Sequence, residues 1–237
     1  MESMLNSRWE KAQKYEQNWW SARGETINFQ YYKVFASQLV SDLKSIIEIN
    51  KTTSILEVGC GPAGISTYLD SDHKHAIDPL NDYFMSVERF QKLRDQRTQY
   101  LTAKGENLPY KKESFDLVIM DNVLDHCENP EQVMKETLRV MKTGGILYFQ
   151  QNVYTLWGKG LRLGMEKFEI DKGHPYTFTK KDIYQLLNQI GLAVIYNDSR
   201  GYLKQWFSEV RSGNKKAMIR AALFMTRDRD KYILRKK

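Results

Sequence analysis

Three glycines and two carboxylates carry the first sign of chemistry in this chain. In SILEVGCGPAGIS, residues 54–66, an apolar run ends in Gly59-x-Gly61-x-x-Gly64. Glycines at that spacing permit a tight strand-to-helix turn and bring backbone N–H groups close to the polar end of a ligand. Glu57 stands two residues before the first glycine, and Asp78 stands nineteen after it. A carboxylate at the second position can accept both hydroxyls of an adenosine ribose. The spacing alone leaves three readings open: the pyrophosphate of NAD, the amino-acid end of another adenosyl cofactor, or a turn with no ligand. Glu57 opposes a pyrophosphate and favours a cationic group. It can equally order the turn by accepting from backbone N–H groups.

The elements that must position these residues follow from periodicity. Short apolar runs at 54–58, 74–78, 98–102, 115–120, 145–150, 192–197 and 231–235 read as strands. FDLVIM, at 115–120, is almost continuously apolar, as a strand buried on both faces of a parallel sheet should be. Helices are expected at about 8–21, 28–49, 64–70, 81–95, 130–142, 179–190 and 203–225. For the helix at 130, Asn129 serves as cap, Pro130 suits the first turn and Gln132 is placed to complete a capping box, with Gly144 ending the helix. Thr179 could cap the helix at 179–190. The alternating order predicts an α/β fold with a doubly wound, Rossmann-like sheet of seven strands. Residues 1–50 form an N-terminal helical cap or lid, and residues 51–237 the main domain with a helical insertion at about 203–225.

Composition limits the partners. At 237 residues the chain suits one well-buried domain with an elaboration. The N-terminus lacks the apolar core of a signal peptide, and no apolar run approaches the roughly 20 residues of a membrane span. Cys60 and Cys127 make neither a disulfide framework nor a metal pattern, so a reducing, cytoplasmic setting is expected. The net charge of +7 is concentrated at one end, since residues 201–237 hold 11 Lys/Arg against 3 Asp/Glu. A solvated surface is the plain reading; a phosphorylated substrate, nucleic acid or anionic lipid is the alternative partner. RNA-binding signatures are lacking there.

Several motifs in a fixed order narrow the cofactor. ILEVGCGPAG is followed by AIDP, then by AKGENLPYKKESFDLVIMDNVLDHCENPEQVMKETLRVMKTGGILYF. In these motifs residues 54–151 resemble the class I S-adenosylmethionine-dependent methyltransferases. The resemblance implies that family's fold, S-adenosylmethionine as cofactor, and a cofactor site drawn from Glu57, Gly59, Cys60, Gly61, Asp78, Pro79, Gly105, Glu106, Asn107, Leu108, Asp121, Asn122 and Val123. Two departures are visible. Lys104 stands where many members have an acid that meets the adenine amino group, which leaves that bond to backbone groups or Glu106. Thr143 replaces a common proline in the turn before the fifth strand.

A sulfonium is already an activated leaving group, so the protein must mainly align an acceptor behind the methyl and exclude water. An acceptor carrying a proton also calls for a base. His126, after the fourth strand, is the candidate, by resemblance to members that use a histidine there; a local structural role is its alternative. Tyr154 and His174 are further candidates to face the acceptor. No metal is expected: Asp121, Asn122 and Asn152 lack a convincing spacing, and His73 with His75 lacks a partner set. The resulting expectation is methyl transfer to an oxygen or nitrogen of a small or medium-sized acceptor. The alternatives are an RNA or protein methyltransferase using the basic C-terminal segment, and a non-catalytic module that holds the cofactor.

Overall fold

The computed structural model describes residues 2–24, 26–167 and 173–237. Seven strands form one sheet: β1 (Ser54–Val58), β2 (His73–Asp78), β3 (Thr98–Thr102), β4 (Phe115–Asp121), β5 (Met141–Val153), β6 (Ala193–Ser199) and β7 (Asp228–Arg235). Their order is β3-β2-β1-β4-β5-β7-β6, and only β7 runs antiparallel to its neighbours. The strand order reverses beside β1, which has β2 on one side and β4 on the other. The crevice beyond the carboxyl ends of these strands is where open α/β sheets bind ligands.

Alternation along the strands buries both faces of the sheet. Ile55, Leu117, Ile119, Ile146 and Tyr148 point to one layer, and Leu56, Val58, Val118, Met120, Leu147 and Phe149 to the other. The first layer is closed by α2 (Gln30–Leu43), which buries Tyr32, Ala36, Leu39 and Leu43, and by the aromatic residues Phe84 and Phe90. The second is closed by α5 (Pro130–Val140) and α7 (Lys180–Gln189). Before α2 lies α1 (Glu2–Arg23), and between β5 and α7 lies α6 (Leu156–Lys167). Among the described residues no helix is long and apolar enough to cross a membrane.

The helices depart from expectation where tertiary contacts override periodicity. The predicted helix at 64–70 shrinks to one 3₁₀ turn, Ser66–Tyr68, because Leu69 turns extended. That at 81–95 divides into α3 (Asn81–Ser86) and α4 (Glu88–Gln91) at Val87, which is extended. The break brings Phe84 and Phe90, otherwise on different sides of one helix, to 5.6 Å between ring centroids. The expected helix at 28–49 stops at Leu43. In α5, Asn129 caps and Pro130 opens the first turn, but Gln132 does not complete the box. Glu106 takes that role from a distance, its Oε1 accepting from the N–H groups of Glu128 (2.7 Å) and Asn129 (3.0 Å). Nor does Gly144 end the helix: the chain becomes extended already at Met141, and Gly144, at φ +78°, lies in the irregular start of β5. Thr179 caps α7 with a full box to Asp182. The insertion at 203–225 is two helices, α8 (Tyr202–Val210) and α9 (Lys215–Ala222), parted by Gly213 at φ +66° and by Asn214, which caps α9.

Candidate active site

The turn after β1 is built on a buried carboxylate. Glu57 is 2% exposed, and its two oxygens accept from the N–H groups of Ile65 and Ser66, each at 2.8 Å. Burial pushes its pKa up to about 7 against these bonds. Gly64 completes the arrangement, with φ +83° and no room for a side chain: a Cβ there would meet Glu57 Oε2 at 2.5 Å. Gly64→Ala is therefore expected to cost about 2–4 kcal/mol, from left-handed backbone strain plus displacement of a carboxylate held by two bonds. Thermal unfolding should shift down by about 5–15 °C in a chain of this size.

Gly59 closes against the opposite wall. It also has positive φ, +73°, and a Cβ would lie 2.7 Å from Val123 Cγ2. The N–H groups of Gly59 and Cys60 both donate to the carbonyl of Ile77, at 2.8 and 3.0 Å, which ties the turn to the end of β2. Asp78, the last residue of β2, accepts from Gly61 N–H through Oδ2 (2.9 Å) and from Leu80 N–H through Oδ1 (2.8 Å). Burial raises its pKa to about 6. Cys60 is buried and its thiol is pushed well above the usual value, which leaves it protonated and inert.

These residues open onto a cavity of about 280 Å³. Glu57, Gly59, Cys60, Gly61, Asp78, Pro79, Gly105, Glu106, Asp121, Asn122, Val123 and His126 all line it; Asn107 and Leu108 do not. Leu108 packs into the core beneath, and Asn107 is exposed. The Glu106 carboxylate turns away to the start of α5, as described. Lys104 is engaged elsewhere, with its ammonium 3.1 Å from Glu128 Oε2 and 3.7 Å from the centroid of the Trp9 ring. Asp121 ion-pairs with Arg229 of β7. Asn122, at φ +55°, accepts through Oδ1 from Asn152 N–H (3.1 Å) and from Gln151 Nε2 (3.2 Å), which fixes the loop after β4.

The roof comes from the N-terminal helices expected as a cap or lid, with Trp9, Gln13 and Glu16 as residues that the sequence did not single out. Trp9, Gln13, Glu16 and Trp20 of α1 line the cavity, together with Tyr31 and Tyr32 of α2. Their steps of four, three and four residues put them on one helical face. A mixed stripe of tryptophan, glutamine and glutamate is a signal only once a polar ligand is expected beneath it. Tyr32 donates to the carbonyl of Cys60 at 3.3 Å, so α2 is fastened to the glycine turn.

His126 sits at the inner end. Its Nδ1 is 3.4 Å from Glu16 Oε2, its Nε2 is 3.9 Å from Asp125 Oδ2, and its ring centroid is 4.7 Å from that of His174. Burial alone would lower its pKa, but Asp125, Glu16, Asp78 and the backbone of Gly173 together carry it above 6.5. Asp125, His126 and His174 bring ligand-type atoms within 4.8 Å of one another. Asp125 Oδ2 lies 3.9 Å from the Nε2 of each histidine, beyond direct hydrogen-bond reach. Tyr154 lies outside the cavity lining, with its hydroxyl 2.6 Å from Arg162.

Residues 56–149 match the family model described as a methyltransferase domain. The thiol S-methyltransferase TMT1B of Rattus norvegicus is 28% identical over 135 residues, 54% of this chain and 55% of that protein. The matched stretch thus spans about half the length of that relative. The ubiquinone biosynthesis O-methyltransferase of Rickettsia canadensis is 27% identical over 209 residues, 82% of this chain and 86% of the relative. Among solved structures, the geranyl diphosphate C-methyltransferase of Streptomyces coelicolor superposes with a TM-score of 0.63 at 13% identity, covering 92% of this chain and 88% of the other. That likeness establishes a shared fold.

Proposed function

We propose that this chain, which belongs to the class I S-adenosylmethionine-dependent methyltransferases, transfers the methyl group of S-adenosylmethionine to an oxygen or nitrogen of a small or medium-sized acceptor. The observation that carries the reading is the charge of the cavity. Glu16, Glu57, Asp78 and Asp121 line it; Arg229 pairs with Asp121, and His126 lies beside Glu16. Such a lining suits a sulfonium and an ammonium group and repels a pyrophosphate. Cys60 and the glycine turn, with Glu57 beneath it, would hold the methionine end; Asp78 and Pro79 the ribose; Gly105 and the backbone of Glu106 the adenine edge. When bound, the cofactor supplies a methyl group on an activated sulfur. Residues 1–50 serve as a cap: Trp9, Trp20 and Tyr31 exclude water, and His126 takes the acceptor's proton.

Thermal unfolding with S-adenosylhomocysteine and with NAD tests the donor. S-adenosylhomocysteine should stabilise the protein and NAD should not; the reverse result overturns the reading. A pH series adds a signed prediction. The folded pKa values of Glu57 (about 7) and Asp78 (about 6) lie above their ordinary 4.5 and 3.8, so their contribution to the ligand-free fold is full below those ordinary values. It is lost as pH rises through about 6 and about 7. The ionised carboxylates are the forms that attract an ammonium group, so S-adenosylhomocysteine should bind more tightly over the same rise. The stabilisation that it gives should therefore widen with pH. A sulfur acceptor is the second reading, favoured by the S-methyltransferase relatives; an amine, phenol and thiol panel with methyl-labelled donor separates the two.

A further inference from the structure

The insertion after β6 leaves apolar side chains in solvent in an ordered pattern. On α8, Leu203, Phe207 and Val210 are 67%, 51% and 40% exposed, at steps of four and three that place them on one face. No residue of α8 is buried. Met218 and Ile219 of α9, and Leu223 just after it, are also exposed. Trp157, at the start of α6, is 62% exposed and donates its indole N–H to the carbonyl of Leu223 at 3.1 Å, so the three helices present a continuous surface. Apolar patches of this extent on a single chain mark a surface that meets something else.

Charge decides what it meets. Across residues 201–227 the one acid is Glu209, and Arg220 and Thr226 engage both of its oxygens. Lys204, Arg211, Lys215, Lys216 and Arg227 have no carboxylate partner among the described residues. Lys204 and Arg211 lie beside Phe207 on α8, and Lys215 and Lys216 open α9. The location is also informative. β5 and β6 both run antiparallel to β7 and therefore parallel to each other, so α6 and α8 leave the same sheet edge as the cavity.

We propose that α8, α9 and the start of α6 form a docking surface for an anionic lipid bilayer. The apolar face enters the boundary between headgroups and acyl chains while the lysine and arginine stems reach lipid phosphates. A second copy of the chain would set like charges against one another. Single-stranded nucleic acid binds on stacked aromatic platforms, whereas leucine, isoleucine, valine and methionine dominate here.

Flotation of the full chain with vesicles tests this. Vesicles of phosphatidylcholine with phosphatidylserine should carry the protein, and phosphatidylcholine alone should bind at least about tenfold less. The double substitution Lys215→Glu and Lys216→Glu, and separately Phe207→Glu, should each reduce binding to the anionic vesicles by at least about tenfold. All these substitutions are at exposed positions, and an unchanged thermal unfolding transition in each variant reports that the fold is intact. Failure to bind anionic vesicles overturns the proposal. So does light scattering that shows a dimer dispersed by Phe207→Glu, or retention by single-stranded RNA that the vesicles do not match. None of these outcomes depends on methyl transfer, so the two readings fail separately.

Discussion

Asp78→Ala is expected to weaken S-adenosylhomocysteine binding by about ten- to a hundredfold, read by calorimetric titration. The loss of a charged hydrogen-bond acceptor is worth about 1.5–3 kcal/mol, and here two effects add in the same direction. A ribose hydroxyl loses its carboxylate partner, and the N–H groups of Gly61 and Leu80 lose theirs as well. Gly61 belongs to the turn that would hold the methionine end, so the substitution loosens both ends of the ligand at once. Asp78→Asn separates the contributions. It keeps one acceptor oxygen and removes the charge, so it should fall between wild type and alanine. An affinity unchanged by alanine would remove Asp78 from the site and leave it as a fastening of the turn.

The central strands were legible because β1, β4 and β5 are apolar runs buried on both faces; Ser54–Val58 matches its expected bounds, and so does the edge strand Thr98–Thr102, in which only Thr98 is buried. The helices were less so, for identifiable reasons. In LWGKGLRLGMEK three glycines lower helix propensity enough to hide α6, which holds through contacts with the rest of the chain. Val87 breaks a helix because two phenylalanines need the same core. At the site, local chemistry was readable: the glycines and acids of β1 and β2 line one cavity. Contacts distant in sequence were not. Nothing near Glu106 says that it caps a helix twenty-three residues on, and nothing near Glu16 says that it meets His126. The stripe of Trp9, Gln13, Glu16 and Trp20 is the instructive case. Hydrophobic periodicity searches for apolar faces, and a helix that roofs a polar ligand does not present one.

His126→Ala is expected to lower turnover by about 10²–10⁴-fold, the usual contribution of a positioned general base, while S-adenosylhomocysteine affinity stays within about twofold. The prediction applies to acceptors that must lose a proton. Burial works against the charged imidazolium, yet Asp125, Glu16 and Asp78 raise its pKa above 6.5. A base must be unprotonated to act, so turnover should climb with pH through a limb above 6.5, and alanine should abolish the limb. Glu16 supplies the control that a purely structural histidine would not satisfy. Its carboxylate lies 3.4 Å from Nδ1, so Glu16→Gln should move the limb to lower pH while leaving turnover at high pH near wild type. A limb that does not move, or an alanine variant within tenfold of wild-type turnover, would assign His126 to the support of the loop after β4. Catalysis would then rest on alignment and water exclusion alone, which a sulfonium donor permits.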